Sequence, residues 1–184
     1  GDEPVYDPMC GSGTFIIEAA EIAARLNPGR LRNFAFEKLV TFDAEAWEKM
    51  LSVKRQSQTE IHFYGSDRDK GAVDMSTENA KRAGVDHLTD FKQQSISDIS
   101  PPCDTPGLVI VNPPYGGRIG DKRKLMPLYQ SLGAVLKSRF SGWRVGIITT
   151  DVFLAQSTAL PFLPTGESVQ HGGLRVTLFH TDAL

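Results

Sequence analysis

The chain has 184 residues, of which 40% are hydrophobic, 9% aromatic and 23% charged, a composition typical of one soluble globular domain over residues 1–184. The apolar runs fall short of the ~18 residues that a membrane helix needs, which excludes a membrane-spanning helix. The formal net charge of −2 excludes a uniformly basic surface, so either the partner is small, a local patch meets nucleic acid, or a separate domain captures it.

The first half of the chain alternates short apolar runs with helical patterns. Asn27-Pro28-Gly29 is a stop signal for the first helix, and Gly84 is one for the second. The aromatic residues between these helices, Phe34 and Trp47 among them, predict a helical insertion whose rings pack on the sheet. The predicted elements are a strand at 4–7, a helix at 14–26, the insertion at about 27–60, a strand at 61–66 and a helix at 71–83.

The second half continues the alternation and ends differently. Two strands joined by the turn His171-Gly172-Gly173 must be antiparallel. The predicted elements are strands at 88–94 and 108–111, a helix at 125–137, and strands at 144–150, 168–170 and 174–181. The fold class is therefore α/β, Rossmann-like, with a mostly parallel doubly wound sheet closed by an antiparallel C-terminal hairpin.

A glycine-rich loop, Asp7-Pro8-Met9-Cys10-Gly11-Ser12-Gly13-Thr14, joins the first strand to the first helix. Its glycines let the backbone approach a ligand, and the amides at the start of the helix face that ligand. A dinucleotide-binding loop needs a third glycine where Ile16 stands, so a nicotinamide cofactor is disfavoured. A phosphate-binding P-loop is excluded because no Gly-Lys-Ser/Thr follows. The residues predicted to bind a cofactor here are Asp7, Pro8, Cys10, Gly11, Gly13 and Thr14.

Acidic residues follow the first three predicted strands, where neighbouring parallel strands form a ligand-binding edge. A carboxylate at Asp67, with Arg68 beside it, can accept hydrogen bonds from both hydroxyls of a ribose. Asp98 can accept one from an adenine amino group, while the Ile99 backbone packs or bonds beside the ring. Each aspartate alone also fits a helix N-cap or a turn. Three aspartates at the ends of three successive strands, Asp7, Asp67 and Asp98, together favour a nucleoside-binding site.

The segment Asn112-Pro113-Pro114-Tyr115 follows the apolar fourth strand and is expected over the same cleft. An amino group on a base is a weak nucleophile because its lone pair is delocalised into the ring. Hydrogen bonds to the Asn112 side-chain oxygen and the Pro113 carbonyl draw that nitrogen toward sp3 geometry and aim its lone pair at a sulfonium methyl group. Pro113 and Pro114 stiffen the segment, and Tyr115 offers a ring on which a flipped base stacks. These four residues are the predicted catalytic residues, with Asn112 also beside the cofactor.

In combination these residues resemble the catalytic domain of THUMP-containing RNA guanine-N2 methyltransferases, in particular the 23S ribosomal RNA large-subunit type. The resemblance runs over nearly the whole chain and rests on residues 7–14 with Glu18-Ala19-Ala20, 34–37, 42–47, 65–67, 112–115 with Gly116 and Arg118, and 172–174. It implies a class I S-adenosylmethionine-dependent methyltransferase fold, with Asp67 on the ribose, Asp98 near the adenine and residues 112–115 on the target base.

The resemblance also implies RNA as the partner, with ribosomal RNA favoured over transfer RNA. Family members carry an amino-terminal ferredoxin-like and THUMP region that captures RNA, and the sequence contains nothing that resembles it. We therefore expect this chain alone to methylate RNA weakly or not at all. Its mild acidity fits a basic capture surface that lies elsewhere.

Three alternatives stay open at this point. Adenine-N6 DNA methyltransferases share the Asn-Pro-Pro-Tyr chemistry, but one common class places the glycine loop after the tetrapeptide, the reverse of the order here. Enzymes that methylate glutamine side chains of release factors need the same amide activation and usually lack Asp-Pro before the glycines. A non-catalytic subunit that binds the cofactor or RNA is the third alternative, and the intact Asn112 and Tyr115 speak against it.

Metal chemistry and secretion are not expected. The cysteines and histidines show no ligand spacing, so we predict no metal site. The residues Gly1 to Pro4 contain no basic or apolar segment of a secretory signal, which favours a cytoplasmic location.

Overall fold

The computed structural model describes residues 3–52, 59–115, 122–171 and 173–184. Short strands alternate with helices along these residues, as the apolar pattern predicts. The strands are β1 (Val5–Asp7), β2 (Phe63–Asp67), β3 (Thr89–Gln93), β4 (Leu108–Val111), β5 (Arg144–Thr149), β6 (Val169–His171) and β7 (Leu174–His180). The α-helices are α1 (Thr14–Ala23), α2 (Ala44–Leu51), α3 (Lys70–Ala83), α4 (Lys122–Arg139) and α5 (Val152–Ser157), with 3-10 turns at 35–38, 86–88 and 96–98.

The described strands form one sheet in the order β3-β2-β1-β4-β5-β7-β6. The first five pair in parallel, while β7 runs antiparallel to both β5 and β6. The predicted parallel sheet with an antiparallel hairpin is thus confirmed. Chain order reverses between β1 and β4, and in doubly wound sheets the ligand site lies at the carboxyl ends of the strands at this reversal.

Capping explains where the helices begin and end. Asp69 accepts a hydrogen bond from the Gly71 amide at the start of α3, and Gly84 ends that helix with a left-handed φ of 69°. The first helix is shorter than predicted, because Arg25 adopts a φ of 54° and the Leu26 amide turns back to the Glu21 carbonyl. The predicted stop at residue 27 therefore comes after the helix has already ended.

Two features of the fold differ from the sequence prediction. The rings of the insertion contact one another instead of the sheet: Phe34 stacks on Phe36, and Trp47 meets both edge-on. The short helix α5 was not predicted; its start is capped by the Asp151 carboxylate, which accepts from the amides of residues 153 and 154. Six residues are too few to give a helical period in the sequence.

Apolar side chains fill both faces of the sheet. On one face, Val109 and Val111 of β4 pack with Tyr129, Leu132 and Leu136 of α4. On the other face, β2 packs against α1 and α3. In the part of the chain that the structure describes, no helix has the length and apolar character needed to span a bilayer. The two layers of helices leave the carboxyl edge of β1, β2 and β4 open to a cavity.

Candidate active site

A cavity of about 790 Å³ lies at the carboxyl edge of the parallel strands. It brings together the loop after β1, the end of β2, the turn after β3, the segment after β4 and one side of α4. The lining residues are Pro8, Met9, Asp67, Arg68, Gln94, Ser95, Ile96, Ser97, Asn112, Pro114, Lys124, Leu125, Leu128 and Ser131. The cavity is therefore lined by parts of the glycine loop (Pro8 and Met9), by the acidic end of β2 (Asp67) and by parts of the Asn-Pro-Pro-Tyr segment (Asn112 and Pro114).

The glycine loop is held against the end of β2. The Gly11 amide donates to the Asp67 carboxylate at 3.1 Å, and the Cys10 amide donates to the Ser66 carbonyl at 2.9 Å. Gly11 and Gly13 have φ values of +53° and +83°. A Cβ at Gly13 would lie 2.8 Å from the Ser76 side chain, so the loop can approach α3 only with glycine there.

Asp67 stands on the cavity wall and organises two backbone segments. One carboxylate oxygen accepts from Gly11, and the other accepts from the Asp69 amide at 3.0 Å. Arg68 beside it also lines the cavity. A carboxylate oxygen has two lone pairs, so each oxygen retains an acceptor site for a ligand hydroxyl.

Asp7 lies behind the loop and is almost fully buried. Burial raises its pKa from the ordinary 3.8 to about 7; the hydrogen bond from the Met9 amide opposes this rise, and the nearby charge of Asp67 adds to it. The carboxyl of Asp7 therefore titrates close to neutral pH.

The titration of Asp7 predicts how stability depends on pH. The folded chain binds the Asp7 proton more tightly than the unfolded chain, so the free energy of unfolding should fall by ~3 kcal/mol as pH rises from about 4 to about 7. Asp7→Asn keeps an acceptor for Met9 and should lose this pH dependence. Urea unfolding of both proteins at about pH 4.5 and about pH 8 measures the difference, and parallel profiles would contradict the assignment.

After β3, the residues that line the cavity come just before Asp98 and Ile99 in the chain. Among the described residues, those that line the cavity here are 94–97, and the group does not include Asp98 or Ile99. Asp98 is exposed, and hydrogen bonds from the Ser95 and Ser97 hydroxyls lower its pKa. Ile99 is buried in the core, and its carbonyl accepts from Arg139. The 3-10 turn at 96–98 directs the chain away from the cavity before residue 98.

The segment after β4 reaches the cavity with Asn112 and Pro114. Asn112 is exposed, Pro113 is buried, and Pro114 and Tyr115 are half-buried. Since β4 pairs in parallel with β1, their carboxyl ends lie side by side, which sets this segment beside the glycine loop. The predicted Gly116, Arg118 and Gly172 lie outside the described residues.

Two other predicted residues, Cys10 and Thr14, are not among the residues that line the cavity. The Cys10 side chain is buried, and burial raises the pKa of its thiol to about 12, so it stays protonated. Thr14 is exposed at the start of α1, where its hydroxyl lies 3.2 Å from that of Ser12. A buried thiol with a raised pKa is a poor nucleophile.

The wall formed by α4 was missed by the sequence reasoning. Lys124, Leu128 and Ser131 line the cavity opposite the loop after β1. They belong to no motif, and their only signal is that they lie on the helix that follows Asn-Pro-Pro-Tyr. Their side of the helix is set by packing of Tyr129 and Leu132 in the core.

Comparison with known proteins agrees with this geometry. The family model UPF0020, described as the RMKL-like methyltransferase domain, matches residues 1–160. The chain is 42% identical over 166 residues to the ribosomal RNA large subunit methyltransferase K/L of Shewanella baltica, an alignment that covers 85% of this chain and 23% of that protein. The chain thus spans less than a quarter of the length of the curated relatives it matches.

Two solved structures share the fold closely. A possible methylase from Clostridium difficile 630 is 31% identical with a TM-score of 0.89, over 99% of this chain and 48% of that one. SMU.472, solved with SAH, is 29% identical with a TM-score of 0.89, over 100% of this chain and 48% of that one. The class I methyltransferase fold expected from the sequence is confirmed. The chain belongs to the family of RMKL-like methyltransferase domains, UPF0020.

Proposed function

We propose that residues 1–184 form the catalytic domain of an S-adenosylmethionine-dependent enzyme that methylates the N2 amino group of guanine in large-subunit ribosomal RNA. The observation that carries this proposal is that Asn112 and Pro114 share one cavity with Pro8 and Asp67. The named activity of the Shewanella relative supports ribosomal RNA as the substrate. The resemblance of the combined motifs to RNA guanine-N2 methyltransferases supports the N2 amino group of guanine as the methylated atom.

The residues at the cavity fit S-adenosylmethionine. A volume of about 790 Å³ is within the range of small-molecule sites, ~300–1,000 Å³. Gly11 has open space where a Cβ would stand, so a ligand can lie against its backbone. Asp67 would accept hydrogen bonds from the ribose, and the cavity-lining segment at 95–97 would meet the adenine, with Asp98 accepting from the Ser95 and Ser97 hydroxyls beside it.

When bound, S-adenosylmethionine supplies an electrophilic methyl group on a positively charged sulfur. Asn112 and the Pro113 carbonyl hold the target amino group so that its lone pair points along the line of attack. Methyl transfer to the target nitrogen would release S-adenosylhomocysteine and one proton from the amino group, and water can take up that proton. Rate comes from orientation and fixed dipoles, so the site needs no strong general base.

RNA capture by another part of a longer protein is the second half of the proposal. The chain carries a net charge of −2, whereas binding to RNA phosphates draws on lysine and arginine. The greater length of the relatives leaves room for such a region. Among the described residues, Lys124 and Arg68 line the cavity and would meet a phosphate or the cofactor carboxylate there.

Mass spectrometry of nucleosides tests the reaction. The intact gene product is incubated with methyl-labelled S-adenosylmethionine and deproteinised 23S ribosomal RNA, transfer RNA or DNA, and the digested nucleosides are analysed. We expect labelled N2-methylguanosine in the ribosomal RNA sample. Labelled N6-methyl-2′-deoxyadenosine in the DNA sample would favour the DNA-methylase alternative, and binding of cofactor without label in any substrate would favour a non-catalytic subunit.

A further inference from the structure

Tyr129 lies on α4 directly beneath the Asn-Pro-Pro-Tyr segment. Its side chain is fully buried, and its hydroxyl donates to the Pro114 carbonyl oxygen at 3.3 Å. The same hydroxyl lies 3.3 Å from the Thr149 hydroxyl at the end of β5. Thr149 in turn accepts from the Asp151 amide at 3.2 Å. Tyr129 therefore connects the segment after β4 to the fixed end of the neighbouring strand.

The local backbone of the Asn-Pro-Pro-Tyr segment does not by itself fix the orientation of the Pro114 carbonyl. The rings of Pro113 and Pro114 fix φ at both residues, and neither residue has an N–H to donate. The torsion ψ of Pro114 remains free, and it sets the plane of the Pro114–Tyr115 peptide. A hydrogen bond to the Pro114 carbonyl oxygen fixes that plane and hence the direction in which the Tyr115 side chain leaves the backbone.

The surroundings keep Tyr129 a donor. Burial raises the pKa of its hydroxyl to about 12; the hydrogen bond with Thr149 opposes the rise, and the charges of Asp151 and Tyr115 add to it. The hydroxyl thus stays protonated at neutral pH.

We propose that Tyr129 is a positioning residue whose hydroxyl, through the Pro114 carbonyl, sets the Tyr115 ring at the target-base position. Tyr129 touches neither base nor cofactor in this role. The consequence for methyl transfer rests on the proposed function, whereas the consequence for the Tyr115 ring does not. The two consequences are therefore measured separately.

Tyr129→Phe removes the hydroxyl and leaves the packed ring in place. Tyr6→Phe is a matched control, because Tyr6 is also buried, its hydroxyl is bonded to Ser66 at 2.7 Å, and burial likewise raises its pKa to about 12. The chain contains four tyrosines, so fluorine NMR of protein labelled with 3-fluorotyrosine gives a resolvable spectrum in which Tyr115→Phe assigns one resonance. Thermal unfolding of each variant establishes that it is folded.

In Tyr129→Phe we expect the Tyr115 resonance to shift or broaden, and in Tyr6→Phe we expect it to stay unchanged. With the intact gene product, kcat for methylation should fall about tenfold in Tyr129→Phe, the loss of one hydrogen bond, while the Kd of S-adenosylmethionine stays constant. An unchanged Tyr115 resonance in Tyr129→Phe, or an equal change in Tyr6→Phe, overturns the positioning role. An unchanged kcat overturns its importance for methyl transfer.

The design separates this inference from the proposed function. If the wild-type gene product methylates no substrate while the Tyr115 resonance responds only to Tyr129→Phe, the proposed function fails and the positioning role is supported. If methylation occurs and the resonance does not respond, the proposed function stands and the positioning role fails.

Discussion

Asn112→Ala should reduce methyl transfer by about 10²–10³-fold while the affinity for S-adenosylmethionine stays the same. The substitution removes the side-chain oxygen that accepts from the target amino group, a contact that matters most when the nitrogen becomes pyramidal. The backbone should be unaffected, because Asn112 is exposed and β4 is held by β1 and β5 on either side. Transfer is measured with the intact gene product on ribosomal RNA, and binding is measured by calorimetry.

Two further variants serve as controls for Asn112→Ala. Asn112→Asp retains an acceptor oxygen and should keep more activity than Asn112→Ala. Asn33→Ala changes an exposed asparagine in the insertion and should leave both activity and binding unaltered. A loss of cofactor affinity in Asn112→Ala equal to the loss of rate would contradict the role assigned to this side chain.

Asp67→Ala should have the opposite signature, with cofactor binding weakened by about 10²-fold or more. The carboxylate would accept from the ribose, and hydrogen bonds to a charged acceptor contribute ~1.5–3 kcal/mol each. The same substitution also frees the Gly11 and Asp69 amides, which bind its two oxygens, so the glycine loop loses its attachment to β2. Isothermal titration of the chain with S-adenosylmethionine measures the change.

Asp74→Ala is the control for Asp67→Ala. Asp74 is an exposed aspartate on α3 that pairs with Lys70, and exposed pairs of this kind add little to stability. Its removal should leave cofactor affinity unchanged. If Asp67→Ala binds normally while Asn112→Ala does not, the roles of the two residues are reversed.

The architecture was predictable because it depends on local patterns that repeat along the chain. The apolar run at 108–111 and the glycine stop at Gly84 correspond to β4 and to the end of α3. The end of α1 was not predictable, because the left-handed φ at Arg25 carries no composition signal. The packing of the insertion was not predicted correctly, because its aromatic rings contact one another. The sequence pattern alone does not tell such mutual contacts from contacts with the sheet.

The cavity was predictable only where motifs follow strands. Asp67 and Asn112 lie on it because parallel strands end at one edge, a rule that sequence order alone supplies. Asp98 was placed by the same rule, which does not describe the turn at 96–98 that takes it outward. Lys124 and Tyr129 depend on how α4 is rotated about its axis, and core packing decides that rotation.

The cavity draws its walls from five chain segments spread between residues 8 and 131, and its two central strands, β1 and β4, are about a hundred positions apart in the chain. Contacts between such distant segments form slowly during folding, and they are lost together when the sheet unfolds. A partly folded chain therefore offers no site, and any ligand stabilises the native state by RT ln(1 + [L]/Kd). A higher cofactor concentration should consequently keep a larger fraction of newly made or heated molecules folded, in addition to its effect on the rate of catalysis.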